Sequence, residues 1–146
     1  MPRLLDTYIT NRQRVQPHHA NNYGTTHGGN VMKWMDEIGG MSAMRFAGET
    51  CVTAAVDSME FRRPIPIGDT ALIEAYVYDA GKTSVKVRLQ AARENPRTGE
   101  SEPTTESYFV FVALKDGKPT PVPELTVDSE RGEELRAAAL AGEESD

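Results

Sequence analysis

The chain has 146 residues, a formal net charge of −6 at pH 7 and one cysteine, Cys51. This length has room for one domain with its own hydrophobic core, and a single cysteine excludes an internal disulfide framework and is typical of a reducing compartment. The acidic balance argues against non-specific nucleic-acid binding, which needs a basic surface. The N-terminus does not resemble a signal peptide, and no apolar run reaches the ~18 residues of a membrane helix. We therefore expect a soluble, cytoplasmic protein without nucleic-acid or membrane partners.

The charges are unevenly distributed along the chain. Between residues 124 and 146, eight acidic residues are opposed by only two arginines. Between Ala80 and Arg93 there are four basic residues and no acidic one. A basic stretch on an acidic protein suits either a small anionic ligand or an ordinary solvated strand surface, and charge alone leaves both open.

The N-terminal third contains a predicted strand, a loop and the most apolar helical segment of the chain. Residues 7–16 are rich in β-branched and aromatic side chains and predict a first strand. Residues 18–27 have the polar, glycine-containing composition of a loop. From about Gly28 to Phe46, apolar residues recur at helical spacing, and methionines add apolar groups on other faces. We expect a helix that is buried nearly all round and ends at Gly48.

After Gly48 the apolar pattern changes from helical to alternating. Four more strands are predicted, at about 50–61, 71–79, 85–91 and 107–114. The last is apolar on both faces and should be covered on both sides, whereas 85–91 should have one wet side. An acidic tail follows, which could be helical from Glu130 to Ala141 or stay loosely ordered.

This order of elements predicts an α+β fold, with one domain over residues 1–123 and a tail over 124–146. An antiparallel sheet of about five strands would wrap around one long central helix, which is the hot-dog arrangement. Gly39 and Gly40 cost the helix about 1 kcal/mol each relative to alanine, so we interpret them as points where another backbone approaches closely. Such a thin structure leaves a sheet edge and the loop before the helix poorly covered, which favours pairing with a second copy.

The loop before the helix and the first helical turns hold the candidate chemistry. Gly28 and Gly29 at the helix start would present free N–H groups and the positive end of the helix dipole to a developing oxyanion. Asp36 places a carboxylate in a segment expected to be buried, where an unpaired charge is costly. The residues alone leave Asp36 open as either a catalytic group or a capped or solvated structural acid.

Other kinds of site have less support in the pattern. His18, His19 and His27 with Asp36 could bind a metal, but they lack the His-x-x-x-His or cysteine spacing of metal sites, so none is predicted. Cys51 has no local base and the chain has no Gly-x-Ser-x-Gly elbow, which argues against a nucleophilic triad or serine esterase. The glycines before the helix are not followed by the Gly-Lys-Ser/Thr of a phosphate loop.

Taken in order, the motifs resemble a known family. The run Asn-x-x-Gly-Thr-x-His-Gly-Gly, from Asn21 to Gly29, is followed by Val-Met-Lys-Trp-Met-Asp-Glu and, further on, by Phe-Arg-Arg-Pro, Ile-Gly-Asp and Gly-Lys-Thr-Ser. In order and spacing these segments resemble the acyl-CoA thioesterases of the hot-dog superfamily, in particular the acyl-CoA hydrolase (cytosolic acyl-CoA thioester hydrolase) group. The resemblance spans about Val15 to Pro123 and leaves out the first dozen residues and the acidic tail.

The resemblance implies hydrolysis of fatty acyl-CoA to free fatty acid and coenzyme A, with no cofactor beyond the coenzyme A of the substrate. It makes Asp36 the catalytic carboxylate, as general base or as nucleophile, and Asn21 a second catalytic group that faces the aspartate of the partner subunit. It also implies that the backbone of Gly28 and Gly29 contacts the thioester carbonyl. The residues that it places near coenzyme A are Arg62, Arg63, Lys82, Thr83 and Ser84.

The same resemblance implies a homodimer at least, and the family often forms hexamers as trimers of dimers. Because this chain has one such domain, the two halves of a shared site must come from separate copies. The alternative function is a non-catalytic acyl-CoA-binding sensor or regulatory module. The joint presence of Asp36, Asn21 and the glycine pair favours the enzyme, because a binding protein needs no carboxylate beside the thioester.

Overall fold

One long helix lies against an antiparallel sheet in the computed structural model, which describes residues 2–145. The elements in chain order are β1 Ile9–Arg14, α1 Gly28–Ala47, β2 Thr50–Val56, β3 Thr70–Ala80, β4 Ser84–Glu94, β5 Ser101–Lys115, β6 Lys118–Pro119 and α2 Glu130–Ser145. The strand order is β1-β3-β4-β5-β2, and β6 adds a two-residue strand to β5. The predicted α+β arrangement, an antiparallel sheet wrapped around one long central helix, is confirmed.

Two glycines of α1 show how the helix ends and how it meets the sheet. Gly48 follows the helix with φ of 71° and donates its N–H to the Met44 carbonyl at 2.8 Å, so the predicted C-terminal end is confirmed. A Cβ at Gly39 would come within 3.0 Å of the Leu89 side chain and 3.2 Å of Phe111. The close approach at Gly39 is therefore to side chains of the sheet and not to a backbone. Gly40 makes no comparable contact, since a Cβ there would stand 3.8 Å from Phe111.

The main core lies between α1 and the sheet face that curls around it. In β4 the buried residues alternate with half-exposed ones, as predicted for a strand with one wet side. In β5, Phe109 and Phe111 are buried, but Val110 and Val112 between and beyond them are half-exposed. The expectation of full cover on both faces of this segment is thus wrong, because only part of the outer sheet face is covered.

Part of the surface of α1 and of the edge strand β2 is left uncovered by the chain. Met41 is 52% exposed and Met32 and Met44 are each 40% exposed, while Val52 and Val56 on β2 are 44% and 37% exposed. We call these five residues the open face. The prediction of a helix buried nearly all round is therefore wrong for the single chain, because its sheet curls around only part of the helix circumference. Exposed apolar groups in this number mark an interaction surface.

Helix α2 packs on the opposite, outer face of the sheet. The Tyr76 hydroxyl donates to the Leu135 carbonyl at 2.7 Å, and the Tyr78 hydroxyl donates to the Glu143 carboxylate. Ala139 is fully buried in a second apolar cluster with these tyrosines. The boundary between a domain over 1–123 and a tail over 124–146 stays a prediction, and its outermost residues, 1 and 146, lie outside the described residues. Neither α1 nor α2, the α-helices within residues 2–145, is long and apolar enough to cross a membrane.

Candidate active site

The loop before α1 is held in shape by its own hydrogen bonds. The Asn21 side-chain oxygen accepts from the backbone N–H of Tyr23 at 2.9 Å and of Thr25 at 3.3 Å. The Asn21 side-chain amide donates to the Thr25 hydroxyl at 3.0 Å, and the Asn30 amide ties the loop to the helix by donating to the His19 carbonyl at 2.9 Å. Asparagine side chains fix turns in this way. Asn21 is thus both a loop-forming residue and a candidate site residue with a fixed position.

His19 contributes to the structure of this loop. His19 packs edge-on against Trp34, with ring centroids 5.0 Å apart, and its Nδ1 accepts from the Gln16 N–H at 2.9 Å. Burial lowers the pKa of His19, and the neighbouring His18 and Lys33 charges act in the same direction. Among the side chains that the structure describes, those of residues 2–143, no group of three or more from His, Cys, Asp or Glu is placed to hold a metal ion.

The first N–H groups of α1 have no acceptor within the described part of the chain. His27 occupies the N-cap position but makes no side-chain cap bond. Neither Gly28 nor Gly29 donates its N–H to an acceptor in residues 2–145. A helix start leaves such groups unsatisfied and carries a partial positive charge. The donor pair predicted from the glycines is therefore available to a ligand.

A cavity of about 320 Å³ opens beside the start of α1, with Gly28 in its lining. Asn21, Gly28 and Val31 line it on the loop and helix side, and Phe61 lines it from the connection between β2 and β3. A volume of this size is within the range of small-ligand sites. The remaining lining residues are Thr25, Thr26, Arg63, Pro64, Ile65 and Thr104.

Asp36 lies away from this cavity. Its Oδ1 accepts a hydrogen bond of 2.5 Å from the Thr53 hydroxyl on β2, next to the open face. The carboxylate is half-buried and hydrogen-bonded, so the expectation of a costly, unpaired buried charge is wrong. At about 1.5 Å per residue, Asp36 is roughly 12 Å further along the helix axis than Gly28. Within one chain, the structure does not bring Asp36 to the helix-start N–H groups.

Thr53 is a residue that the sequence did not single out. Threonine is common in strands because of its branched side chain, and nothing in the alternating pattern of β2 marks this position. Its partner on α1 is 17 positions away, so only the tertiary structure reveals the contact.

A second, larger cavity of about 630 Å³ lies on the other side of Arg63. Arg63 lines both cavities and donates a guanidinium N–H to the Pro103 carbonyl at 2.9 Å. Arg62, with 76% of its side chain exposed, lines the larger one. Thr105, another lining residue, is 3% exposed, and its buried hydroxyl has no hydrogen-bond partner in the described part of the chain. Glu60 and Glu106 line the cavity as well, and the two arginines pair with carboxylates, Arg62 with Glu60 at 3.8 Å and Arg63 with Glu102 at 3.5 Å. The cavity is therefore lined by charges of both signs.

The segment with Lys82, Thr83 and Ser84 lies far from the two arginines. It forms the turn from β3 to β4, where the Thr83 carbonyl accepts from the Ala113 N–H at 3.0 Å. The Arg62 N–H instead donates to a carbonyl near the other end of β5, at Thr104, at 2.9 Å. At about 3.3 Å per residue, the two contact points are roughly 30 Å apart along the strand. One chain thus does not bring the two predicted coenzyme A segments together.

Most cations in the basic stretch from Ala80 to Arg93 are paired with carboxylates. The pairs, with their N–O distances, are Arg88–Glu106 at 2.5 Å, Lys86–Glu143 at 3.5 Å and Arg93–Asp69 at 2.5 Å. The acidic partners come from β5, α2 and the connection before β3. The sequence left open whether these cations bind a small anionic ligand or belong to an ordinary strand surface. Because all three are paired with carboxylates, the strand surface is the better interpretation for them. Lys82 makes no ion pair with the described side chains, those of residues 2–143, and stays a candidate.

Comparison with known proteins places these features in a family. The family model of the thioesterase superfamily matches residues 23–100. An uncharacterized acyl-CoA thioester hydrolase of Bacillus subtilis, YkhA, is 36% identical over 126 residues, which are 86% of this chain and 73% of that protein. The family-model match includes the glycine pair and Asp36.

Solved structures agree with the match. The acyl-CoA hydrolase of Staphylococcus aureus, in complex with butyryl coenzyme A, coenzyme A and coenzyme A disulfide, has a TM-score of 0.87 at 31% identity and covers 98% of this chain and 88% of that one. An apo hexameric acyl-CoA thioesterase has a TM-score of 0.87 at 33% identity, with 99% and 95% covered. Variants of the S. aureus hydrolase with an asparagine, an aspartate or a threonine replaced by alanine have also been solved. The chain therefore belongs to the thioesterase superfamily and has the hot-dog fold.

Proposed function

We propose that this protein hydrolyses acyl-CoA thioesters to a free acid and coenzyme A, in a site that a second copy of the chain completes. The observation that carries the proposal is the pair of helix-start N–H groups at Gly28 and Gly29, which have no acceptor in the described part of the chain, with Gly28 at a cavity that Asn21 also lines. The names of the relatives, acyl-CoA thioester hydrolase and acyl-CoA hydrolase, support the substrate class. Fatty acyl-CoA is the substrate that we expect.

The helix start polarises the thioester in this proposal. The carbonyl oxygen accepts from the N–H groups of Gly28 and Gly29 and gains negative charge as the tetrahedral intermediate forms. Donors held in a helix need no reorganisation at that moment, and removal of one such donor typically costs about 10²–10³ in rate. The Asn21 amide lies at the same cavity and orients the reacting group or the water.

Asp36 supplies the carboxylate. Acting as a general base, it takes a proton from water while the water oxygen bonds to the carbonyl carbon. The carbon–sulfur bond then breaks, and the leaving thiolate takes up a proton to give coenzyme A. As a nucleophile, the carboxylate would attack the same carbon and form an anhydride that water opens. Because Asp36 is roughly 12 Å along the helix from Gly28 of its own chain, we assign it to the cavity of a second copy.

The open face supports such pairing. Its three methionines and two valines would leave water in a dimer, which is favourable for apolar surface. Strand β2 is also an end strand of the sheet, and an exposed edge can pair with another strand. A hexameric relative is consistent with further assembly, and we propose a dimer at least.

The S. aureus variants support the choice of residues. The asparagine and the aspartate replaced in that protein are 15 positions apart, and the aspartate and the threonine are 17 positions apart. The same separations relate Asn21 to Asp36 and Asp36 to Thr53. We therefore add Thr53 to the proposed site. Its hydroxyl holds one carboxylate oxygen and leaves the other for the water or the carbonyl carbon.

The larger cavity would take the polar part of coenzyme A. Arg62 and Arg63, whose pairs with Glu60 and Glu102 are long and solvent-exposed, would turn to the phosphate groups when the ligand binds. The segment from Lys82 to Ser84 would have to reach the same ligand from another copy, since it lies far from these residues within one chain.

Thiol release from acyl-CoA of increasing chain length, measured with the purified protein, tests the function. We expect the wild type to release thiol and the Asp36→Asn variant to lose this activity. Glu37→Gln, which changes an exposed neighbouring acid of α1, should keep it. Binding of acyl-CoA without thiol release by the wild type would favour the alternative of a sensor or regulatory module.

A further inference from the structure

Phe61 lies against the first residue of α1 although it belongs to neither hydrophobic core. Its side chain is 48% exposed. The ring carbons Cε2 and Cζ are 3.2 and 3.3 Å from the place where a Cβ on Gly28 would stand. These separations are shorter than ordinary van der Waals contact, so the ring lies this close only because residue 28 is a glycine. A half-exposed aromatic ring that adds nothing to a core calls for another explanation.

The ring is held in place by the residues that follow it. The Arg62 N–H donates to the Thr104 carbonyl at 2.9 Å, and the Arg63 guanidinium donates to the Pro103 carbonyl at 2.9 Å. Both bonds tie this connection to β5. Phe61 is therefore anchored over the helix start by polar contacts of its neighbours, without packing of its own into the core.

The ring forms one apolar wall of the cavity beside the helix start. Val31 and Ile65 provide further apolar surface, whereas Asn21 and Thr25 provide polar groups. A thioester carbonyl at the helix-start N–H groups would meet the polar groups through its oxygen, and its acyl carbon atoms would lie beside the ring. An apolar wall excludes water there, which strengthens hydrogen bonds to the developing oxyanion.

Building on the proposed thioester hydrolysis, we propose that Phe61 is a positioning residue that limits the size of the acyl group next to the carbonyl carbon. An unbranched acyl chain passes beside the ring with the carbonyl directed at the N–H groups of Gly28 and Gly29. A branch at the carbon next to the carbonyl presses on the ring and turns the carbonyl away from the donors. Phe61 thereby favours unbranched over α-branched acyl thioesters.

The test compares butyryl-CoA with isobutyryl-CoA for the wild type, Phe61→Leu and Phe61→Ala. We expect Phe61→Ala to lower kcat for butyryl-CoA about tenfold with little change in KM, as for a lost transition-state contact. Activity on isobutyryl-CoA should stay nearly unchanged, so that the ratio of the two kcat/KM values narrows about tenfold, and Phe61→Leu should lie between. Ile67→Ala is the matched control, because Ile67 is in the same connection, is 42% exposed and does not line the cavity.

A second measurement uses the contact with Gly28. Gly28→Ala keeps the N–H group but its Cβ displaces the ring, so it should reduce turnover of butyryl-CoA in the wild type and much less in the Phe61→Ala background. Equal fractional losses on both substrates in folded Phe61→Ala, or additive effects of the two substitutions, overturn the role of Phe61 while leaving the hydrolase function intact. A wild type that releases no thiol from either substrate overturns both.

Discussion

The Asp36 carboxylate on α1 and the Thr53 hydroxyl on β2 are joined by a hydrogen bond of 2.5 Å. This bond connects the central helix to the edge strand beside the open face. It restricts a side chain that could otherwise adopt several rotamers and gives one carboxylate oxygen a fixed partner. The proposed catalytic carboxylate is therefore oriented before any substrate or second copy is present.

Asp36→Asn keeps the shape of the side chain and removes the base. We expect kcat to fall by about 10²–10⁴, the usual contribution of a general base, with coenzyme A binding and the thermal midpoint retained. Steady-state kinetics, a melt and a binding titration on the one variant measure all three, with Glu37→Gln as control. A folded variant that binds coenzyme A and turns over at nearly the normal rate would contradict the mechanism.

Thr53→Ala removes the donor but leaves the carboxylate. A hydrogen bond to a charged group is worth about 1.5–3 kcal/mol, so we expect kcat to drop about tenfold or somewhat more, which is less than for Asp36→Asn. Thr53→Ser retains a hydroxyl and should recover most of the activity. If Thr53→Ser is as impaired as Thr53→Ala, the methyl group and not the hydrogen bond is what matters.

A site shared between copies can be tested by mixing inactive variants. Asn21→Ala and Asp36→Ala should each be inactive alone. After subunit exchange, half of the dimers are mixed and each mixed dimer has one intact site of two, so about a quarter of the wild-type activity should return. Exchange is verified with differently tagged chains. Proven exchange without recovery would place Asn21 and Asp36 in the same-chain site instead.

Strands β3 and β4 show what the sequence predicts well, because every second residue from Ala71 to Val77 and from Val85 to Ala91 is apolar and buried in the main core. Strand β2 shows the limit. Residues 50–61 alternate like one strand, but pairing with β5 shifts register between Thr53 and Ala55 and stops at Val56. How far a strand pairs is decided by its neighbour, which the local pattern does not contain.

The same reasoning explains the misjudged site features. The apolar helix indicates a buried surface correctly, but a single chain leaves part of it exposed, since the sequence does not say whether the cover comes from the same chain. The basic stretch was open to two readings because the carboxylates that pair with Arg88 and Lys86 are at least 18 positions away. The free N–H groups at Gly28 and Gly29 could be predicted, because helix geometry alone leaves the first N–H groups without an acceptor inside the helix.

Arg62 should contribute to binding of the nucleotide part of the substrate. Arg62→Ala is expected to raise KM for acyl-CoA more than it lowers kcat, because phosphate contacts are equal in the ground and transition states. Lys82→Ala should act the same way if the segment reaches the site of another copy. Both variants should hydrolyse a thioester of N-acetylcysteamine, which lacks the nucleotide, at the wild-type rate. Arg97→Ala, at an exposed loop arginine, controls for the loss of one positive charge. Equal losses on both substrates would mean that these residues are structural.

Tyr8 predicts a dependence of stability on alkaline pH. Its hydroxyl donates to the Glu74 carboxylate at 2.5 Å on the outer face of the sheet. Burial and this bond, together with the Glu74 charge, raise the pKa of Tyr8 from 10.0 to about 12. Because the folded-state pKa lies above the unfolded one, the stabilisation is complete below about pH 10 and is lost as the pH rises through about 12.

The expected result is a free energy of unfolding that decreases between about pH 10 and 12, measured by chemical denaturation at a series of pH values. Tyr8→Phe should be less stable than the wild type at neutral pH, because Glu74 loses its donor, and should lose part of the alkaline slope. The slope should not vanish, since burial and the Glu143 carboxylate raise the pKa of Tyr78 in the same direction. Tyr23→Phe, at a side chain 88% exposed, controls for the removal of one phenol. An alkaline slope that is identical in Tyr8→Phe and the wild type would show that the Tyr8 phenol does not couple to folding.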